Sequence, residues 1–169
     1  VYLIMVVSAL IIAGGLGFIV WRDILSYHRV KKITLHSKVA LSVTALLLIG
    51  GFILFLITER NGLTLVKGTF TERLANTFFM SVTPRTAGYY SIDYLQMSHA
   101  GLILTMFLMY IGGTSGSTAG GLKTTTLGIL LIQMHAMFKG KTRAEAFGRT
   151  IRQAAVLRAL TLFFVTLSL

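Results

Sequence analysis

Apolar residues along this chain gather into long runs separated by short charged stretches. Val1 to Val20 carries no charge and stops at Trp21-Arg22-Asp23, an aromatic and charged edge of the kind found where a membrane meets water. Val39 to Ile57 is another 19 residues without charge, close to the ~20 that a helix needs to cross the hydrocarbon core. Ala154 to Leu169 opens a further apolar run, with Arg158 near its start. Val1 to Val20 lacks the basic n-region and cleavage site of a signal peptide and reads as the second half of a span. Both chain ends fall inside apolar runs, so the chain is expected to continue beyond them.

The remaining run, Ser98 to Phe138, is 41 residues with one charge, Lys123. A straight helix of that length would reach ~60 Å, about twice the hydrocarbon thickness, and tilt cannot absorb the excess. The run must therefore break, and Gly112 to Lys123 has five glycines and four hydroxyl residues. The pattern predicts a helix over His99 to Ile111, an irregular loop over Gly112 to Gly121, and a second helix over Thr124 to Phe138.

A fourth kind of segment precedes it. Thr69-Phe70-Thr71-Glu72 fits a capping box, and Leu74, Ala75, Phe78, Phe79 and Val82 follow at helical spacing up to Pro84, the sole proline. This predicts a helix of about three turns, ~20 Å long and too short to cross. It should dip into the membrane and return, which is tolerated where protein or water surrounds the backbone. The result is an all-α membrane order of span, short helix, loop and broken span.

Charge fixes the topology. Residues are 54% hydrophobic and 12% charged, about half the ~25% charged content of a soluble domain. The net charge of +11 would suggest nucleic acid in a soluble protein, but most of it lies in two loops. Arg22, Arg29, Lys31, Lys32 and Lys38 face only Asp23, and Lys139, Lys141, Arg143, Arg149 and Arg152 face only Glu145. The positive-inside rule makes both loops cytoplasmic. The segment between Thr58 and Ser98, with Arg60, Lys67, Arg73 and Arg85 against Glu59, Glu72 and Asp93, lacks that bias and reads as external. Nucleic acid is not the expected partner; lipid is. There is no cysteine, and His28, His36, His99 and His135 are scattered, so no metal or catalytic cluster is expected.

Two segments carry candidate chemistry. In Thr83-Pro84-Arg85-Thr86-Ala87-Gly88-Tyr89-Tyr90 a proline fixes one φ and a glycine frees another. The bland reading is an external turn. The preceding helix, however, points its negative C-terminal end at the turn, and Thr86-Ala87-Gly88-Tyr89 is similar to the Thr-Val-Gly-Tyr core of potassium-channel filters, whose carbonyls replace the ion's water. Glu72 is a candidate partner for Arg85 by charge. In the second segment, Gly112, Gly116 and Gly120 form overlapping GxxxG patterns suited to close helix packing. Gly116 to Thr124 nearly matches a phosphate-binding loop but has Leu122 inserted and no preceding strand. Length and polarity favour a gate: Gly112, Gly113, Thr114, Ser115, Gly116, Ser117, Thr118, Ala119, Gly120 and Gly121, with Lys123 opposing cation passage or anchoring the loop.

Thr83 to Tyr89 followed by Gly112 to Thr124 resembles the third repeat of the Trk/Ktr/HKT potassium transporters, within which the chain is most similar to the bacterial Ktr membrane subunit. Gly14-Gly15-Leu16-Gly17-Phe18 likewise resembles the end of a preceding second span. The resemblance implies a multi-pass subunit of the bacterial cell membrane with four M1-P-M2 repeats around one pore. On it, 1–21 ends one repeat, 22–38 is a cytoplasmic loop, 39–138 is a complete repeat, 139–153 is a second cytoplasmic loop and 154–169 begins the next repeat. It implies potassium translocation, with or without Na+ dependence, and no enzymatic step or organic cofactor. K+ would be held by the backbone carbonyls of Thr86, Ala87 and Gly88, with Tyr89 completing the filter strand, and 112–123 would gate the path. The implied partners are the remaining repeats, a second copy in a homodimer and a cytosolic nucleotide-binding regulatory subunit. The competing reading is a secondary transporter with a midplane substrate site where the broken helix presents its N-terminus near Lys123.

Overall fold

The computed structural model describes residues 1–59, 69–89, 91, 94, 97–140 and 145–168. The sequence-based expectations for Arg60, Lys67, Tyr90, Asp93, Lys141 and Arg143 lie outside them, as do those for the side chains of His28 and Arg29. The fold is helical: α1 (Tyr2–Gly15), α2 (Gly17–Val30), α3 (Leu35–Thr58), α4 (Phe70–Val82), α5 (His99–Tyr110), α6 (Thr124–Phe138) and α7 (Gln153–Ser168). Among the described residues there is also a two-stranded antiparallel hairpin, β1 (Glu145–Ala146) and β2 (Arg149–Thr150).

The organising element is α3, whose 24 residues and mean hydropathy of 2.6 make it long and apolar enough to cross a membrane. Helices α2, α4, α5 and α6 all pack against it. Val39, Val43, Leu47 and Phe55 face inward and join Met80, Met97, Leu108 and Ile111 in the core. Leu46, Ile49, Ile53 and Ile57 remain exposed on its other side. That is the arrangement of a helix whose outer face meets lipid or neighbouring apolar helices, since water would disfavour so large an apolar patch. Small residues permit the close approaches: a Cβ on Gly128 of α6 would collide with Val39 of α3.

The two ends of α3 are tied by carboxylates. At its start, Thr34 caps the helix by accepting from the Ser37 amide, and buried Asp23 of α2 accepts from Thr34 Oγ1 at 2.5 Å and Ser37 Oγ at 2.7 Å. The hydrogen bonds from Thr34, then Ser37, hold the Asp23 carboxyl below its ordinary value of 3.8. A depressed folded value means stability that is present above about pH 4 and lost as the pH falls through the folded value. Asp23→Ala is therefore expected to lower the melting temperature by a few degrees at neutral pH, with the difference from wild type closing in acid; a constant difference across that range would exclude this tie. At the far end, fully buried Glu59 accepts from the Ser98 amide at 3.1 Å and from Ser98 Oγ at 2.5 Å, joining the end of α3 to the N-cap of α5.

Two features depart from the sequence reading. Val1 to Val20 is not one straight helix: α1 and α2 meet at Leu16 with a bend of 95°. The second basic loop contains the β1–β2 hairpin, turned through Phe147 and Gly148 with φ of 52° and 73°, the left-handed pair of a tight hairpin turn. Lys38 Nζ lies 5.5 Å from the Phe147 ring centroid. This contact brings the hairpin beside the start of α3, so segments of the two basic loops sit at one end of the molecule.

Candidate functional site

The short helix α4 forms as its sequence dictates. Glu72 accepts from the Thr69 amide at 3.0 Å and closes the capping box, so it is not the partner of Arg85. The helix packs against α3 and α1, and Ser81 Oγ donates to the Leu48 carbonyl at 2.7 Å. Beyond Val82 the chain turns tightly, with the Arg85 amide on the Val82 carbonyl and the Ala87 amide on that of Thr83, both at 3.3 Å.

Thr83, Pro84 and Arg85 are buried, whereas Thr86, Gly88 and Tyr89 are exposed. Thr86 has φ of 61° and Gly88 φ of 73°. Glycine adopts that region freely, but a β-branched residue there is an outlier. Such conformations persist only when surrounding structure enforces them, and they concentrate at functional sites. Two side chains brace the turn: Thr83 Oγ1 donates to the Tyr89 carbonyl, and Thr86 Oγ1 donates to the Arg85 carbonyl at 2.7 Å. Among the described residues the carbonyls of Thr86, Ala87 and Gly88 accept no hydrogen bond. Three adjacent carbonyls thus retain their acceptor capacity, while that of Tyr89 is engaged.

The interruption between α5 and α6 is a folded loop, so Gly112, Gly116 and Gly120 do not form a helical GxxxG face. Ile111 and Leu122 pair as an isolated parallel bridge. The Gly112 amide donates to the Leu122 carbonyl at 2.9 Å, the Leu122 amide to that of Tyr110 at 3.0 Å, and the Thr124 amide to that of Gly113 at 3.0 Å. A Cβ at Gly112 would collide with the Gly120 carbonyl. Ser117 returns its amide and hydroxyl to the Thr114 carbonyl at 3.1 and 2.7 Å, and Ser115 Oγ meets Thr125 Oγ1 at 2.8 Å. Lys123 Nζ donates to the Ala119 carbonyl at 2.5 Å; of its two expected roles, this contact is the anchoring one.

The structure brings the two candidate segments together. A Cβ on Gly120 would lie 3.8 Å from Thr86 Cγ2, so the loop lies against the turn. On its other side the loop docks on the α1–α2 bend. The Thr114 amide donates to the Gly15 carbonyl at 3.0 Å, Thr114 Oγ1 to the Leu16 carbonyl at 2.5 Å, and the Phe18 amide to the Gly116 carbonyl at 3.4 Å. Carbonyls left open at the end of α1 are thereby satisfied by a segment almost a hundred residues away. Reading the chain from sequence missed this docking; its one visible signal is Gly14-Gly15-Leu16-Gly17 within an otherwise continuous apolar run. Among the described residues no cluster of three or more His, Asp or Glu could hold a metal ion.

Residues 1–167 match the family model TrkH, described as cation transport protein. The chain belongs to the TrkH family. Among its relatives, Ktr system potassium uptake protein B of Bacillus subtilis (strain 168) is 35% identical over 96% of this chain and 37% of that protein. The protein of the same description from Vibrio alginolyticus is 33% identical over 94% of this chain and 36% of its own length. The chain thus spans a little over a third of these TrkH-family relatives. The crystal structure of the potassium transporter TrkH from Vibrio parahaemolyticus superimposes with a TM-score of 0.69 at 18% identity, over 94% of this chain and 35% of that one. That likeness establishes the fold, an all-α membrane architecture, and the family the chain belongs to is one of cation transport proteins.

Proposed function

We propose that this chain is one complete M1-P-M2 repeat, with flanking parts of two others, of a multi-pass potassium-uptake subunit in a bacterial cell membrane. Helix α3 is then M1, α4 the pore helix, and α5, the 112–123 loop and α6 the broken M2. Helices α1 and α2 close the preceding repeat, and α7 opens the next. The observation that carries this reading is the run of unbonded carbonyls at Thr86, Ala87 and Gly88, in a turn held open at positive φ just past a helix C-terminus. A dehydrated cation needs oxygen ligands of this kind, and the helix end adds negative potential. K+ is the transported ion, with Na+ dependence a separate property of the whole assembly.

The loop against Thr86 is the gate: it is polar, hinged on glycines and closed by its own hydrogen bonds. The full transporter comprises the remaining repeats, a second copy and a cytosolic nucleotide-sensing regulatory subunit that approaches from the side of the two basic loops. A carrier with an anion site at the start of α6 is less well supported, because the Thr124 amide there donates to the Gly113 carbonyl and the Lys123 ammonium is turned onto the Ala119 carbonyl. The direct test is crystallography of the full-length protein with thallium or rubidium. A heavy-ion site against the Gly88 carbonyl is expected; ion sites elsewhere in the pore with none beside Gly88 would remove the filter assignment.

A further inference from the structure

Arg85 is the residue at the turn whose chemistry the filter reading leaves unused. It is only 6% exposed, and among the described residues no carboxylate oxygen lies within ion-pair distance of it; the ion pair present is Arg22 with Asp23 at 3.7 Å. A buried guanidinium without a counter-ion is costly, and apolar residues of similar size would pack there at less cost. What it has instead is a carbonyl: Nη2 donates to the Thr44 backbone oxygen, in the middle of α3, at 3.2 Å.

This bond has a companion. Ser81 donates to the Leu48 carbonyl of the same helix. Ser81 and Arg85 are four residues apart, and so are Leu48 and Thr44, so two rungs one helical turn apart clip the end of α4 and the turn antiparallel onto one face of α3. The upper rung reaches the peptide that begins the left-handed turn. The Arg85 side chain is fixed to α3, its amide to the Val82 carbonyl and its own carbonyl to Thr86 Oγ1. Arg85 is therefore tied to α3 through its side chain and to the end of α4 through its amide, immediately before the strained φ of Thr86. The C-terminal end of α4 offsets the charge, and only a long planar donor spans the gap while holding its orientation.

We propose that Arg85 is a positioning residue for ion selectivity, acting through its bond to the Thr44 carbonyl to hold the Thr86–Gly88 carbonyls at the spacing that favours K+ over Na+. The inference rests on the filter reading, and its test separates the two. In the full-length transporter reconstituted in proteoliposomes, rubidium uptake and its competition by Na+ would be measured for wild type, Arg85→Met, Arg85→Gln and Gly88→Ser. Arg85→Met, which removes a charge-assisted hydrogen bond, is expected to lower the preference for Rb+ over Na+ about tenfold. Arg85→Gln, too short to reach Thr44, is expected to act the same way and serves if the Met variant does not fold. A strut of purely structural importance would reduce the amount of folded protein and leave the ion preference per molecule unchanged; that result in either Arg85 variant, with Gly88→Ser altered, overturns the proposal. An unchanged preference in all the variants overturns the filter reading and this inference with it. Thr44→Val keeps the carbonyl and is expected to behave as wild type; a loss of preference there would place the tie on the hydroxyl and refute the carbonyl anchor.

Discussion

Gly88→Ser in the full-length transporter is expected to cut the preference for K+ over Na+ by about an order of magnitude, with folding and membrane insertion retained. A Cβ built on Gly88 meets nothing within 4 Å, so the substitution causes no collision. Its effect comes from φ of 73°, which costs an L residue ~1–2 kcal/mol. The strand can relax by that amount, and ~1.4 kcal/mol is a factor of ten in an equilibrium constant. Relaxation would carry the carbonyls of Ala87 and Gly88 with it. The measurement is ion competition at fixed protein amount, and an unchanged K+/Na+ preference would sink the filter assignment.

The second large effect is expected from removing residues 114–119. The stitching of Gly112 to Leu122 and of Thr124 to Gly113 lies outside that span, so the ends of α5 and α6 can still be joined. The deletion takes away the Thr114 donors on Gly15 and Leu16, the turn around Gly116 and the Ala119 acceptor of Lys123. Unregulated potassium flux, severalfold above wild type, is the expected outcome in vesicles. Flux abolished in a variant that still assembles would count against a gate. Thr114→Val, losing only the hydroxyl bond, is expected to shift flux in the same direction by a smaller factor.

Much of the architecture is legible in the sequence because it follows from local rules. The capping box at Thr69 and Glu72, the helical spacing to Val82 and the excess length of 98–138 each act within a few turns of chain. The structure has α5 ending at Tyr110 and α6 starting at Thr124, within a residue of expectation. What escaped depends on distant partners. Hydropathy is the same for a straight run and a bent one, so the 95° bend at Leu16 could not be read without knowing that Thr114 supplies its donors. The partner of Arg85 escaped for a related reason: charge matching suggested Glu72, whereas the acceptor is a main-chain carbonyl, a group every residue has and no sequence marks. The hairpin at Glu145 to Thr150 was hidden by the basic loop around it, although Phe147-Gly148 supplies a turn glycine.

The docking of the loop on the α1–α2 bend has a thermodynamic corollary. A hydrogen bond shared by two segments is lost by both at once, so the seating of Thr114 and the angle at Leu16 are coupled, and whatever stabilisation the seated loop lends the bend the bend lends equally to the seated loop. Helix α2, with 14 residues, is an arm of ~21 Å that runs from that junction through Arg22 into the first basic segment. A load applied to the far end of the arm is therefore applied, by leverage, to the loop.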